Sequence, residues 1–196
     1  MMVYYELLEL SEYFNNQGFT TYEQRTEGRL TIASNSFAAE LVQFGGIYVV
    51  NNVPFRLASG ETGDNIEMDH QRIVLPVTTD KMSCIHVLGV SENADLYEVV
   101  QFFRNGRLIH EGKLALSDLI SVEPAFHDMP AFTMPYMHTQ TGKYTRIQPS
   151  MWHCALMLPS DREAPDCMVL SENLFMHIFA MTAEFRRDTD GLLALP

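Results

Sequence analysis

Basic residues are scarce in this chain. Thirteen Lys and Arg stand against 25 Asp and Glu, for a formal net charge of -12. So acidic a surface repels phosphate, which argues against nucleic acid and anionic membrane as partners and suits neutral or cationic ligands. Cysteine is scarce too. Cys84, Cys154 and Cys167 are widely spaced, sit in apolar contexts and form no C-x-x-C pair. That predicts buried, reduced thiols and makes zinc or redox chemistry an unpromising reading. No apolar run approaches the length needed to span a bilayer. The first ten residues have no basic n-region and carry Glu6 and Glu9, unlike a secretion signal, so a cytoplasmic protein is expected. G-x-S-x-G, the P-loop and G-x-G-x-x-G are all missing, and with them three familiar routes to a reaction.

What the chain does have is short apolar runs with turn residues between them. The stretch 45–89 organises the rest. Runs at 47–50 and 53–57 flank Asn51-Asn52, a pair that tolerates left-handed backbone and can reverse the chain. The run 73–75 ends at Pro76, which removes a ladder donor. Residues 84–90 form another buried-looking strand. Farther on, Asn105-Gly106 separates 97–103 from 107–116, a strong hairpin signal. Candidate strands continue at 131–138, 144–147, 151–158, 167–170 and 175–185. The apolar spacing over 4–14 predicts a short N-terminal helix or helical turn.

About ten or more short strands and so little helix predict an all-β fold, an antiparallel β-sandwich or jelly roll. At 196 residues with 46% hydrophobic content, one domain over 1–196 is expected, its core at about 10–185 and a tail at 186–196.

Several stretches together carry a resemblance. They are L-S-x-Y-F-N-N-x-G (10–18), G-G…V-P-F (45–55), D-N-I…Q-x-I-x-L-P (64–76), I-H-V-L-G (85–89), L-S-D (116–118), Y-x-H (136–138) and H-I-F-A-M-T (177–182). Their order is similar to a galactose-binding-like β-sandwich accessory domain of bacterial glycoside hydrolases such as α-mannosidase-like proteins. The resemblance implies a β-sandwich in a carbohydrate context and brings no catalytic residues with it.

The candidate ligand site is Tyr136, His138, Trp152 and His153. A sugar needs an aromatic platform and a few directional polar groups, and the only Trp stands beside a His. Trp152 and His153 must point to opposite faces of a regular strand, so Trp152 is either platform or core. His138, His153 and His177 could meet as a metal cluster or be satisfied structural histidines. His70 and His127 read as surface residues. Asp64, Glu67 and Asp69, with Glu61 and Asn65 nearby, form an acidic loop that could take calcium or be merely solvated; Asn65 is expected to cap the loop backbone. The expected function is non-catalytic carbohydrate binding, with carbohydrate or a small neutral ligand as partner and no cofactor beyond possible calcium. The alternatives are a small sugar-active enzyme using a His and carboxylate cluster, or an interaction module for a sugar-metabolising enzyme. Twelve methionines and an apolar sheet face make a homodimer the expected assembly.

Overall fold

A computed structural model describes residues 1–159 and 163–187. Among them are sixteen strands: β1 (Met2–Leu7), β2 (Phe19–Thr20), β3 (Ser36–Ala38), β4 (Ile47–Val50), β5 (Val53–Arg56), β6 (Ile66–Met68), β7 (Arg72–Val74), β8 (Lys81–Ser91), β9 (Leu96–Arg104), β10 (Arg107–Leu116), β11 (Met129–Thr133), β12 (Met137–Thr139), β13 (Gly142–Tyr144), β14 (Ser150–Met157), β15 (Cys167–Val169) and β16 (Asn173–Arg187). The expected all-β fold is what forms. Both turn signals hold for the physical reason given. Asn51 and Asn52 have φ of 50° and 67°, and Asn105 and Gly106 have 50° and 76°, so each pair closes a two-residue hairpin.

A six-stranded sheet runs β1-β16-β8-β14-β11, with β6 also paired to β16. β8, β14 and β16 are buried over most of their length, because both faces of this sheet are covered. The sheet β10-β9-β15-β7 packs on one face, where a Cβ on Gly89 would lie 2.8 Å from Leu116 of β10. On the other face lie the hairpin β4-β5 and a small sheet β13-β12-β3-β2. Thr182 of β16 donates to the Pro54 carbonyl of β5 there. The one parallel ladder among the described strands is β2 with β3.

The N-terminal reading needs correction. Residues 2–7 are strand β1, paired to β16, and only 11–13 make a helical turn, of 3-10 type. Tyr4 explains the choice: its ring stacks on Phe185 at 5.2 Å, a cross-strand contact that outweighs any helical preference of an isolated segment. The 186–196 tail reading falls mostly outside the described residues; Arg186 and Arg187 are the end of β16.

One irregularity positions the small sheet. β16 carries an extra residue, Phe179, between Ile178 and Ala180 in its pairing with β8. A bulge re-aims a side chain. Phe179 meets Phe19 at 5.3 Å and Phe37 at 5.7 Å, and Phe19 meets Phe44 at 5.4 Å. Phe19, Phe37 and Phe179 are buried, with Phe44 partly so, and this cluster anchors β2 and β3 to the central sheet.

Candidate functional site

The small sheet gathers side chains that are far apart in sequence. Tyr136 precedes β12, His138 sits in β12, and Lys143 of β13 is its cross-strand partner. Glu40 follows β3 in a 3-10 turn, and Tyr22 follows β2. Glu40 Oε1 is the hub. Tyr136 Oη donates to it at 3.0 Å, Lys143 Nζ at 3.0 Å, and His138 Nε2 lies 3.2 Å away. Lys143 Nζ also donates to Tyr136 Oη at 3.0 Å and stands over the Tyr136 ring at 4.3 Å and the Tyr22 ring at 5.8 Å. His138 is fully buried, its Nδ1 3.0 Å from the Thr20 carbonyl, while Tyr22 and Lys143 are exposed. Partial burial alone would raise the Glu40 carboxyl. Its own backbone N–H, then Lys143, Tyr136 and His138, overbalance that and hold it down at about 2. Glu40 is therefore a fixed anion beside an ammonium and two phenol rings.

The structure divides the four expected ligand residues. Tyr136 and His138 belong to this patch, with ring centroids 5.9 Å apart. Trp152 does not join them. It is 1% exposed, and its indole N–H donates to the Asp118 carbonyl at 3.0 Å. Trp152 is core, so it offers no platform to a ligand. His153 points to the opposite face, as strand alternation requires.

There His153 joins a buried chain. Asn51 Nδ2 lies 3.3 Å from His153 Nδ1, His153 Nε2 lies 3.0 Å from His86 Nδ1, and His86 Nε2 lies 3.5 Å from Glu184 Oε2. The last distance is electrostatic contact rather than a formed hydrogen bond. The Glu184 carboxylate favours a proton on His86 Nε2. His86 Nδ1 then accepts from His153 Nε2–H, and His153 Nδ1 accepts from Asn51. Burial lowers both imidazoles, and the His86 charge lowers His153 further, to about 4. The order carboxylate–imidazole–imidazole resembles a catalytic relay, but it ends on an amide rather than a nucleophile, and both rings are buried.

His177 is in a third place. Its Nδ1 lies 3.2 Å from Asn65 Oδ1 and 3.1 Å from Asn16 Nδ2, and burial lowers it to about 4. His138, His153 and His177 thus do not converge, and among the described residues no three His, Cys, Asp or Glu side chains gather to hold a metal. Asp64 of the acidic loop points inward. The Gly18 and Phe19 amides, Gln17 Nε2 and Asn65 Nδ2 all donate to it at 2.8–2.9 Å. Glu67 and Asp69 do not share its surroundings. Four donors thus meet the buried Asp64 carboxylate, and among the described residues it does not gather with Glu67 and Asp69. Asn65 does cap backbone, donating to the Asn16 carbonyl at 3.2 Å. Gly63 fits this corner only as glycine, since a Cβ there would lie 2.0 Å from the Asn16 carbonyl oxygen.

All three cysteines are free. Cys84 is buried, and burial pushes its thiol up to about 12; Cys154 is buried and raised for the same cause. Cys167, expected inside, is only half-buried. Native labelling should therefore modify one thiol slowly, at Cys167, and unfolding should release all three. Fast labelling of Cys84 in native protein would contradict the packing described.

Sequence reasoning did not single out Glu40, Lys143, Tyr22, His86 or Glu184. Lys143 had a signal: the Thr139–Gly142 turn makes it the partner of His138. Glu40 had none, because its approach to Tyr136 spans 96 residues.

A family model for the AziU2-like β-sandwich domain matches residues 5–187. The chain belongs to the AziU2-like β-sandwich family. That match supports the sandwich and does not extend to a galactose-binding-like accessory domain of glycoside hydrolases. No curated protein matches the chain. No helix among the described residues is long and apolar enough to cross a membrane. Four polar residues of the resemblance motifs are architectural. Asn16, Asp64, Asn65 and His177 form one buried hydrogen-bonded network, which holds strands distant in sequence together in this sandwich.

Proposed function

We propose that this AziU2-like domain is a non-catalytic carbohydrate-binding module of the cytoplasm, with its ligand site at Tyr22, Glu40, Tyr136 and Lys143, and the buried His138 holding Glu40 from behind. The observation that carries the reading is the Glu40 hub. A fixed carboxylate and an ammonium, set 3.0 Å apart between two phenol rings, can accept from and donate to vicinal hydroxyls while a ring face takes the C–H side of a pyranose. The same site is poorly suited to glycoside hydrolysis. A general acid needs its carboxyl raised toward neutral pH, and Glu40 is moved the other way, to about 2. Three unpaired cysteines support a reducing compartment.

A glycan-array screen of the whole chain, followed by calorimetry on the hits, tests this reading. Wild type should retain at least one neutral glycan. Tyr136→Ala should weaken it about tenfold, in line with the roughly 0.5–1.5 kcal/mol of an aromatic contact, at little cost in melting temperature. Glu40→Gln should weaken it as well. The absence of any retained glycan, or full affinity in Tyr136→Ala, would refute the assignment.

A further inference from the structure

Behind the patch, across β2 and the turn after β3, lies a cavity of about 250 Å³. It is smaller than the roughly 300–1,000 Å³ of sites for drug-sized molecules, so its natural occupant is small. Its lining differs in kind from the patch. Phe19 and Asp64, both 2% exposed, form the inner wall. Phe44, Gln24, Glu27 and Ser59 complete it toward solvent. No Lys, Arg or His lines the cavity. Arg25, in the same short turn as Glu27, is drawn away: its guanidinium lies over the Tyr22 ring at 4.7 Å and donates to the Tyr22 carbonyl.

Three features converge on one ligand class. The first is field. Two carboxylates with no base in the lining, in a partly enclosed space on a chain of net charge -12, give a negative potential that partial exclusion of water strengthens. The second is the aromatic pair. Phe19 and Phe44 both line the wall and meet edge-to-face at 5.4 Å with planes 87° apart, and aromatic rings attract cations. The third is unused bonding capacity. Asp64 is satisfied by its four donors, but the Glu27 carboxylate and the Ser59 hydroxyl have no partner among the described residues. A charged acceptor and a hydroxyl are therefore free at the mouth, above an anionic, aromatic interior.

We propose that this cavity is a binding site for a small organic cation, a primary ammonium that also carries a hydroxyl. The ammonium group sits against the Glu27 carboxylate and the Phe44 ring, drawn inward by the charge of Asp64 rather than bonded to it, and the hydroxyl is met by Ser59 or Gln24. The site is separate from the Tyr136 patch and stands or falls without it. It also gives the strong acidity of the chain a use, since long-range attraction raises the local concentration of a cation.

The test is an NMR titration of the ¹⁵N-labelled full chain at pH 7.5, following the Gly18 and Phe19 amides that donate to Asp64. The probes are ethanolamine, ethylene glycol and glycolate, alike in size and different in charge. Ethanolamine should shift both amides saturably in the millimolar range or tighter, and the neutral and anionic probes should bind at least tenfold more weakly. Glu27→Gln should weaken ethanolamine several-fold. Glu23→Gln removes a neighbouring exposed charge that does not line the cavity, and should leave the affinity within a factor of two. Acidification to pH 5 should also weaken binding, because burial raises the Asp64 carboxyl to about 6. Equal binding of ethylene glycol, equal losses in Glu23→Gln and Glu27→Gln, or no saturable shift with ethanolamine would each overturn the proposal. None of these outcomes bears on the glycan screen.

Discussion

Replacing Trp152 with alanine should destabilise the protein by about 3–5 kcal/mol without altering the chemistry of any exposed site. The indole is among the largest fully buried side chains, on a strand covered on both faces, and its N–H is spent on the Asp118 carbonyl. Truncation removes that burial, leaves a cavity and loses the indole hydrogen bond, three losses that act in the same direction, although the Ser121 amide still donates to the Asp118 carbonyl. Trp152→Phe should separate them. It keeps most of the apolar volume and loses the hydrogen bond, so it should cost about 1–2 kcal/mol and fold. Urea denaturation gives the stabilities, and the glycan screen on Trp152→Phe should match wild type. A Trp152→Ala protein as stable as wild type would show that the indole is not packed as described. Loss of glycan affinity in stable Trp152→Phe would restore the platform reading.

That residue shows where the sequence was legible and where it was not. Strand existence was readable from local signals: Asn51-Asn52 and Asn105-Gly106 adopt left-handed backbone at low cost and so favour hairpin turns. Alternation was readable too, and put Trp152 and His153 on opposite faces correctly. What alternation cannot supply is which face meets solvent. β14 lies inside a sheet covered on both sides, and that depends on the partners of the sheet rather than on residues 150–157. The candidate site divided for the same reason. Tyr136, just before β12, and His138 within it stayed together, while His153 went to a different layer. Glu40 and Lys143 became visible only when the parallel β2-β3 pair and the β12-β13 hairpin set them side by side. The bulge at Phe179 that holds this sheet in place leaves no mark in an apolar run such as 175–185.

The buried histidines should make the fold acid-labile well above the pH where carboxylates titrate. His153 and His177 are each lowered by burial from 6.5 to about 4, and His86 is lowered as well. An unfolded chain binds protons at these sites near pH 6.5, whereas the folded chain refuses them until near pH 4. Their contribution to stability is therefore complete above pH 6.5 and is lost progressively as pH falls toward 4. For His177 alone, whose Nε2 has no partner, the full loss is about 3 kcal/mol. His86 and His153 face each other at 3.0 Å with room for one proton between them, so they act as a pair rather than two independent sites. Tyr5 borders the pair at 6.1 Å from His86, Phe55 at 5.4 Å from His153, and the only carboxylate among their described contacts is Glu184. Four carboxylates oppose the trend: Glu67, Glu92 and Asp118 are each raised by burial, and Asp64 is raised furthest. Asp64, raised by burial to about 6 from 3.8, favours the folded state as pH falls through that window. Of the four only Asp64 is shifted as far as His153 and His177, and His86 adds to those two, so the balance is destabilising. Thermal melts in constant ionic strength should show the melting temperature falling from pH 7 to pH 4.5. NMR titration of the imidazole Cε1 protons should find the His153 and His177 signals still neutral at pH 5.5. His153→Gln should flatten the lower part of the melting curve, since glutamine can accept from Asn51 without taking up a proton. A melting temperature that holds level or rises on acidification, or imidazoles that titrate near 6.5 in the folded protein, would show that these rings are reached by water.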